Sequence, residues 1–221
     1  MRLKLYYPVK PYHLNQPWGA NEACVKDFGL PTQRVVGKTN GTCPIGYDEL
    51  YPHFGMRGHN GLDLQAGEQY VYASHDGVVV EAQKVPARGL GIGLLTNEPV
   101  ELDAYGTHYV KSRYWHLKQL FVDVGDAVKT GQPLGITDTT GYSAGNHLHY
   151  EIQPMDKDAG GHPFLTFNGD NPNYPKPLPI AAAIDPQPFF CGEYALDQML
   201  IPLQLQVVIL LKKLLEALKK K

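Results

Sequence analysis

Two short stretches of the sequence hold residue types suited to metal or proton chemistry: "GHNGLDL", with His59 and Asp63 four apart, and "HLHYE", with His147 and His149 two apart. In a strand, residues two apart project to one face, so the two imidazoles of the H-x-H pair converge on a small volume. An H-x-H alone also occurs where two histidines are merely exposed, so further ligands are needed. The Asn60-Gly61 pair disfavours a helix between His59 and Asp63, and in extended chain residues four apart again share a face. Gly61 lies between them without a side chain, which leaves open space for an ion.

His59, Asp63 and one member of the H-x-H pair then make three protein ligands, with a fourth zinc position left for water, as in catalytic sites. At this level the choice between His147 and His149 as ligand stays open. Water acidified by zinc, to a pKa of about 7, is a nucleophile near neutral pH, and a neighbouring imidazole can carry protons. His116, in "RYWHLKQL", is a further proton carrier or oxyanion stabiliser, although a lone histidine beside aromatics is more often structural.

These residues need a scaffold of strands. The 23 glycines and 18 prolines of this 221-residue chain leave little room for long periodic helices before residue 192, which favours a mainly β body of short strands and turns. "SHDGVVVEA" reads as a turn feeding a β-branched strand. "THYVKSRYWHLKQL", "VDVGDAVKTGQPLGITD" and "NHLHYEIQP" read as strand segments of a compact antiparallel sheet. Residues 85–108 read as an inserted hairpin or surface loop shaping a groove, and residues 153–193 as loop with a proline-fixed excursion. Residues 1–53 read as an irregular segment packed on the body, with short apolar runs such as "RVVG".

The formal net charge of -2 gives no basic face for nucleic acid. The N-terminal "MRLKLYYPVKPY" lacks the apolar stretch and small-residue cleavage site of a secretory signal, so the compartment stays unknown. Cys24, Cys43 and Cys191 show no C-x-x-C pairing for a cysteine zinc site. A Cys24–Cys43 bridge would close a loop of about twenty residues, worth about 3 kcal/mol in an oxidising compartment; the alternative is three thiols.

Residues 196–221 differ in kind. Leu203, Val207, Leu210, Leu214 and Ala217 follow the spacing of a coiled-coil seam on an amphipathic C-terminal helix, with Pro202 at its first turn or a kink. Gln204, Gln206 and Lys212 cut its apolar run short of a transmembrane span. Its apolar surface suits self-association or a partner protein. Lys212, Lys213 and Lys219 to Lys221 also suit contact with an anionic membrane surface.

Taken in order, "GHNGLDL", "YWHL" at 114–117 and "TGYSAGNHLHYE" at 140–151 resemble the lysostaphin-type, LytM-like zinc endopeptidases that hydrolyse peptidoglycan. "VDVGDAVKTGQPLG" is similar to the family's linker between its last two motifs, and the likeness covers about residues 54–153. "QPWG" and "AIDPQPF" resemble elements at its two ends. The resemblance implies one Zn2+ held by His59, Asp63 and His149, with His116 and His147 as catalytic imidazoles. It also implies a compact antiparallel two-sheet core, barrel-sandwich-like, in a peptidase domain at 54–192, and cleavage of peptidoglycan cross-link or stem peptides at the bacterial wall. The missing signal fits a phage-encoded endolysin. The competing reading is a wall-peptide-binding or amidase-activating module of this fold that cuts nothing. A carrier-domain reading of the "VDVGDAVKTGQPLG" turn fails for want of a lysine at a hairpin tip.

Overall fold

The computed structural model describes residues 1–19, 58–65, 67–167 and 179–193. Eleven strands follow in chain order. The first six are β1 (Leu14–Gln16), β2 (Leu62–Gln65), β3 (Tyr70–Tyr72), β4 (Gly77–Val85), β5 (Gly89–Leu95) and β6 (Val100–Glu101). After these come β7 (Thr107–Leu120), β8 (Ala127–Val128), β9 (Pro133–Thr137), β10 (His147–Lys157) and β11 (Pro163–Leu165). Among the described residues the helical elements are two single 3-10 turns, Asp103–Tyr105 and Gln187–Phe189, and no helix is long and apolar enough to cross a membrane.

All strand pairings are antiparallel, and the strands join in one eleven-stranded sheet whose main path runs β1-β2-β10-β7-β5-β4-β8. The expected two-sheet layout thus becomes a single hydrogen-bonded network, because the 14-residue β7 is shared by both parts. β10 pairs with it from Tyr109 to Trp115. Beyond Trp115 the edge that β10 vacates passes to β9, which pairs with Leu117 to Leu120.

Alternation divides the central strands into two faces. Leu62 and Leu64 of β2, Leu148, Tyr150 and Ile152 of β10, Tyr114 of β7 and Ile92 and Leu94 of β5 point into one core, all with no exposed surface. Each large aliphatic side chain buried this way contributes roughly 1.5–3 kcal/mol. The opposite face of the same strands carries Asp63, His149, Glu151, Arg113, Lys111 and Glu81, fixed there by the register His149↔Asp63, Glu151↔Arg113 and Gly93↔Glu81.

Two sequence expectations are corrected here. The segment read as an inserted hairpin or surface loop at 85–108 contains β5, which does form a hairpin with β4 but is a buried central strand between β4 and β7 and not a surface insertion; its glycines mimic turn composition, but they lie where neighbouring side chains cross the strand. The start of the 153–193 segment is likewise ordered, since β10 continues to Lys157 and pairs with β11. Residues 1–19 join the body: Leu3, Leu5, Val9 and Trp18 are buried, and β1 adds to the free edge of β2. Cys24, Cys43, "RVVG" and the 196–221 helix lie outside the described residues, while Cys191 is described and is a free, exposed thiol.

Candidate metal centre

Asp63 lies in β2 and His149 directly opposite it in β10, so their meeting is a consequence of strand register. His59 precedes β2 and is held by a two-way backbone bridge to Gly19, with N···O distances of 2.9 and 3.0 Å. Three donor atoms converge: His59 Nε2 lies 3.1 Å from His149 Nδ1 and 3.1 Å from Asp63 Oδ1, and His149 Nδ1 lies 3.0 Å from Asp63 Oδ1. This group could hold a metal ion. His147 joins from the side, its Nε2 3.4 Å from Asp63 Oδ1. The His116 ring stands 4.7 Å from that of His147 and 6.0 Å from that of His149, centroid to centroid. All five residues singled out from the sequence are thus brought together.

The open space expected at Gly61 is absent. A Cβ there would sit 2.6 Å from the Tyr150 carbonyl oxygen and 2.8 Å from His149 Nε2. The glycine lets β10 approach closely and seats the His149 ring against the chain between His59 and Asp63.

His116 reaches the site by a local fault in β7. Regular alternation would send it to the core face with Tyr114. The register with β5 slips instead, with Leu90 opposite Leu117 but Ile92 opposite Tyr114, so β7 carries one residue too many. The extra residue is accommodated with His116 at φ 66, in the left-handed region that a non-glycine residue enters at a cost. Such a bulge re-aims a side chain. The backbone is pinned on both sides: His116 N donates to Arg88 O at 3.3 Å, and its carbonyl accepts from Asp138 N at 2.8 Å.

Backbone carbonyls also set the tautomers. Pro17 O faces His59 Nδ1 at 3.0 Å, Thr140 O faces His116 Nδ1 at 2.6 Å, and Gly145 O faces His147 Nδ1 at 2.8 Å. A carbonyl only accepts, so each Nδ1–H donates and each neutral ring keeps a lone pair on Nε2. For His59 and His147 that lone pair meets the Asp63 carboxylate, a concentration of acceptors that calls for a cation or a proton between them. The charges respond accordingly. Burial works to raise the Asp63 carboxyl, but the facing imidazoles overrule it and hold it well below the usual carboxylate range. Burial works to lower His59 and His147 as well, and Asp63 reverses this to leave both raised. Burial prevails at His149, which is lowered, and at His116, which is pushed down to about 4 by burial and then by the neighbouring His149 and His147.

Behind the donors runs a buried polar chain that sequence reasoning missed. Asn60 Nδ2 donates to Glu151 Oε2, and Arg113 Nη1 donates to Glu151 Oε1 at 2.7 Å. Burial works to raise the Glu151 carboxyl, yet Arg113 above all holds it below its ordinary value. Asn60 adjoins His59 and Glu151 is two residues from His149, so this link ties the two histidine-bearing segments together. The signal available beforehand was the alternation in "HLHYE", which puts Glu151 on the face of both histidines.

Residues 57–160 match the profile of Peptidase family M23. The peptidoglycan DD-endopeptidase ShyA of Vibrio cholerae is 36% identical over 96 residues, 42% of this chain and 20% of that protein. The glycyl-glycine endopeptidase ALE-1 of Staphylococcus capitis is 39% identical over 106 residues, 46% of this chain and 26% of that protein. Among solved structures, the catalytic domain of the antimicrobial peptidase lysostaphin from Staphylococcus simulans is 25% identical, covering 80% of this chain and 91% of that one with a TM-score of 0.47. The matched stretch is thus only about a quarter or less of the length of the two curated relatives. His59, Asp63, His116, His147 and His149 all fall inside residues 57–160, the segment that matches Peptidase family M23, a family of metalloproteases.

Proposed function

We propose that this chain is a zinc endopeptidase that hydrolyses peptide bonds in the cross-links or stem peptides of peptidoglycan, at the bacterial cell wall. The observation that carries the reading is the triangle of His59 Nε2, Asp63 Oδ1 and His149 Nδ1, with sides of 3.0 to 3.1 Å. A tetrahedral site with zinc bonds of about 2.0–2.1 Å has edges of roughly 3.3 Å, so the donors are close to the required spacing. Two imidazoles and one carboxylate suit zinc and leave one position open. The relatives named as DD-endopeptidase and glycyl-glycine endopeptidase support the substrate class. In this reading the peptidase domain spans 54–192 with 1–53 packed on it, and 196–221 is the segment for self-association, a partner protein or a membrane surface.

When bound, the zinc ion supplies Lewis acidity that polarises a peptide carbonyl and acidifies water. His59, Asp63 and His149 hold it, and Pro17 O keeps the His59 ring in the ligating tautomer. His116 and His147, each with Nδ1–H committed to a carbonyl, offer Nε2 to the reaction. These two imidazoles take the proton from the attacking water and return one to the leaving amine, and in protonated form they stabilise the oxyanion between. The carbon–oxygen bond forms, the carbon–nitrogen bond breaks, and the enzyme ends unchanged.

The test is mass spectrometry of fragments released from purified sacculi of contrasting wall types by zinc-loaded protein, metal-stripped protein and His149→Ala. New amino termini in the first sample alone are expected, and they name the bond. Equal cleavage without metal, or no fragments from any wall by folded, zinc-loaded protein, would overturn the reading; the second result favours a module that binds wall peptides without cutting.

A further inference from the structure

Around Trp115, on the polar side of the sheet, three positive charges, Lys111, Arg113 and Arg88, stand beside two carboxylates, Glu81 and Glu151. Lys111 and Arg113 share Glu81, at 2.7 and 3.2 Å, and Arg113 also binds Glu151 at 2.7 Å. The second oxygen of Glu151 takes the Asn60 amide. Both carboxylates are therefore hydrogen-bonded by other groups, and Arg88 feels Glu151 and Glu81 only through space, against the opposing Arg113. The Arg88 guanidinium has no hydrogen-bonded or ion-paired partner among the described residues. It lies over the Trp115 ring, 5.6 Å from the centroid, while Arg113 occupies the same ring at 4.6 Å.

Arg88 is also tied to the site at both ends. Its carbonyl accepts the amide of His116, and Trp115 beneath its side chain is the cross-strand partner of His149. The indole itself is pressed onto β5, where a Cβ on Gly91 would overlap the ring. Arg88 is half-buried, which strengthens its attraction for an anion by thinning the water around it. A planar fork of five N–H donors with no acceptor matches a carboxylate in two-pronged geometry, and no deprotonation can remove its charge.

We propose that Arg88 is a specificity-determining residue that binds a carboxylate of the peptide substrate, either a chain terminus or a side branch, beside the bond to be cut. This rests on the peptidase reading. It differs from a packing role in which the guanidinium merely covers Trp115, because only a carboxylate-binding role makes affinity depend on the ligand's charge.

The experiment uses the full, zinc-loaded chain and three synthetic wall-type peptides of one sequence: all carboxylates free, terminal carboxylate amidated, and side-branch carboxylate amidated. Binding is measured by calorimetry and cleavage by mass spectrometry, for the unaltered chain, Arg88→Gln and Arg88→Lys, with circular dichroism confirming the fold of each. The unaltered chain should lose about tenfold to a hundredfold in affinity for one of the two amidated peptides, which identifies the carboxylate. Arg88→Gln should bind that peptide and the free one alike, and Arg88→Lys should recover part of the difference. If the unaltered chain does not distinguish the three peptides, or if Arg88→Gln keeps the same discrimination, the proposal is wrong. Charge-dependent binding without cleavage would overturn the peptidase reading and leave Arg88 as a carboxylate site; cleavage without charge dependence would do the reverse.

Discussion

His75 and two histidines of the candidate metal centre are withdrawn from water to the same degree: His75 is 6% exposed, His59 5% and His116 6%. Burial therefore does not separate a structural imidazole from a chemical one, and the partners do. His75 Nδ1–H donates to its neighbour Asp76 O at 2.9 Å, and Nε2 accepts from the Ser112 hydroxyl at 2.8 Å. Both nitrogens are answered, and nearby Ser74 closes the network by bonding the hydroxyls of Tyr114 and Tyr150 at 2.6 and 2.7 Å. In the candidate metal centre each of His59, His116 and His147 has Nδ1 answered by a carbonyl, and the Nε2 atoms of His59 and His147 turn to one shared carboxylate, Asp63. A closed polar network rigidifies a core, whereas imidazoles converging on one carboxylate could hold a metal ion.

Substitutions on the two sides should separate cleanly. His149→Ala removes a donor from the triangle, and cleavage should fall below detection together with bound metal. Gly61→Ala should come next. Its Cβ meets the Tyr150 carbonyl and the His149 ring, so β10 must retreat, and metal affinity measured by competition with a chelator should fall about a hundredfold.

The structural histidine should respond to acid instead. Burial pushes His75 down to about 4, below the roughly 6.5 of an unfolded chain. Between those values the unfolded state binds the extra proton, so stability is fully present above about pH 6.5 and is lost as pH falls towards 4. The slope approaches about 1.4 kcal/mol per pH unit, for a total of about 3 kcal/mol. Urea unfolding of metal-free protein from pH 8 to 4 checks this against His75→Gln, whose profile should be flatter by that amount. The smallest effect is expected from Thr140→Val. The hydroxyl accepts from Leu90 N at 3.1 Å and donates to Leu117 O at 2.8 Å, fixing the carbonyl that orients His116. Its loss should lower kcat about tenfold with metal affinity unchanged, as steady-state kinetics and the same chelator competition would show.

The candidate ligands were more legible in the sequence than their surroundings were, although the choice of His149 over His147 came from the family resemblance and not from spacing. Period-two alternation puts His147 and His149 on one face, and the spacing from His59 to Asp63 survives into extended chain, so side-chain identity and periodicity carried that much. The antiparallel β character was legible for the same reason. His116 was singled out in "RYWHLKQL" as a proton carrier or oxyanion stabiliser against a more common structural role, and the family resemblance implied the catalytic one; its placement depends on a one-residue slip between β5 and β7, which leaves no trace in residue types. Pro17, Thr140 and Gly145 act through carbonyl oxygens that every residue possesses, so composition could not mark them. Gly61 was singled out for a void when its role is close approach, and β5 was taken for part of an inserted hairpin or surface loop when it is a central strand, because glycine looks the same in sequence whether it serves a turn or makes room for a neighbouring ring.

The most direct test of the contrast is metal content per folded chain after zinc loading and dialysis, for the unaltered protein, His149→Ala and His75→Gln. One equivalent, nearly none and one equivalent, respectively, are the expected values. No zinc on the unaltered protein, or equal loss from both variants, would contradict the assignment of His59, Asp63 and His149 as the metal ligands.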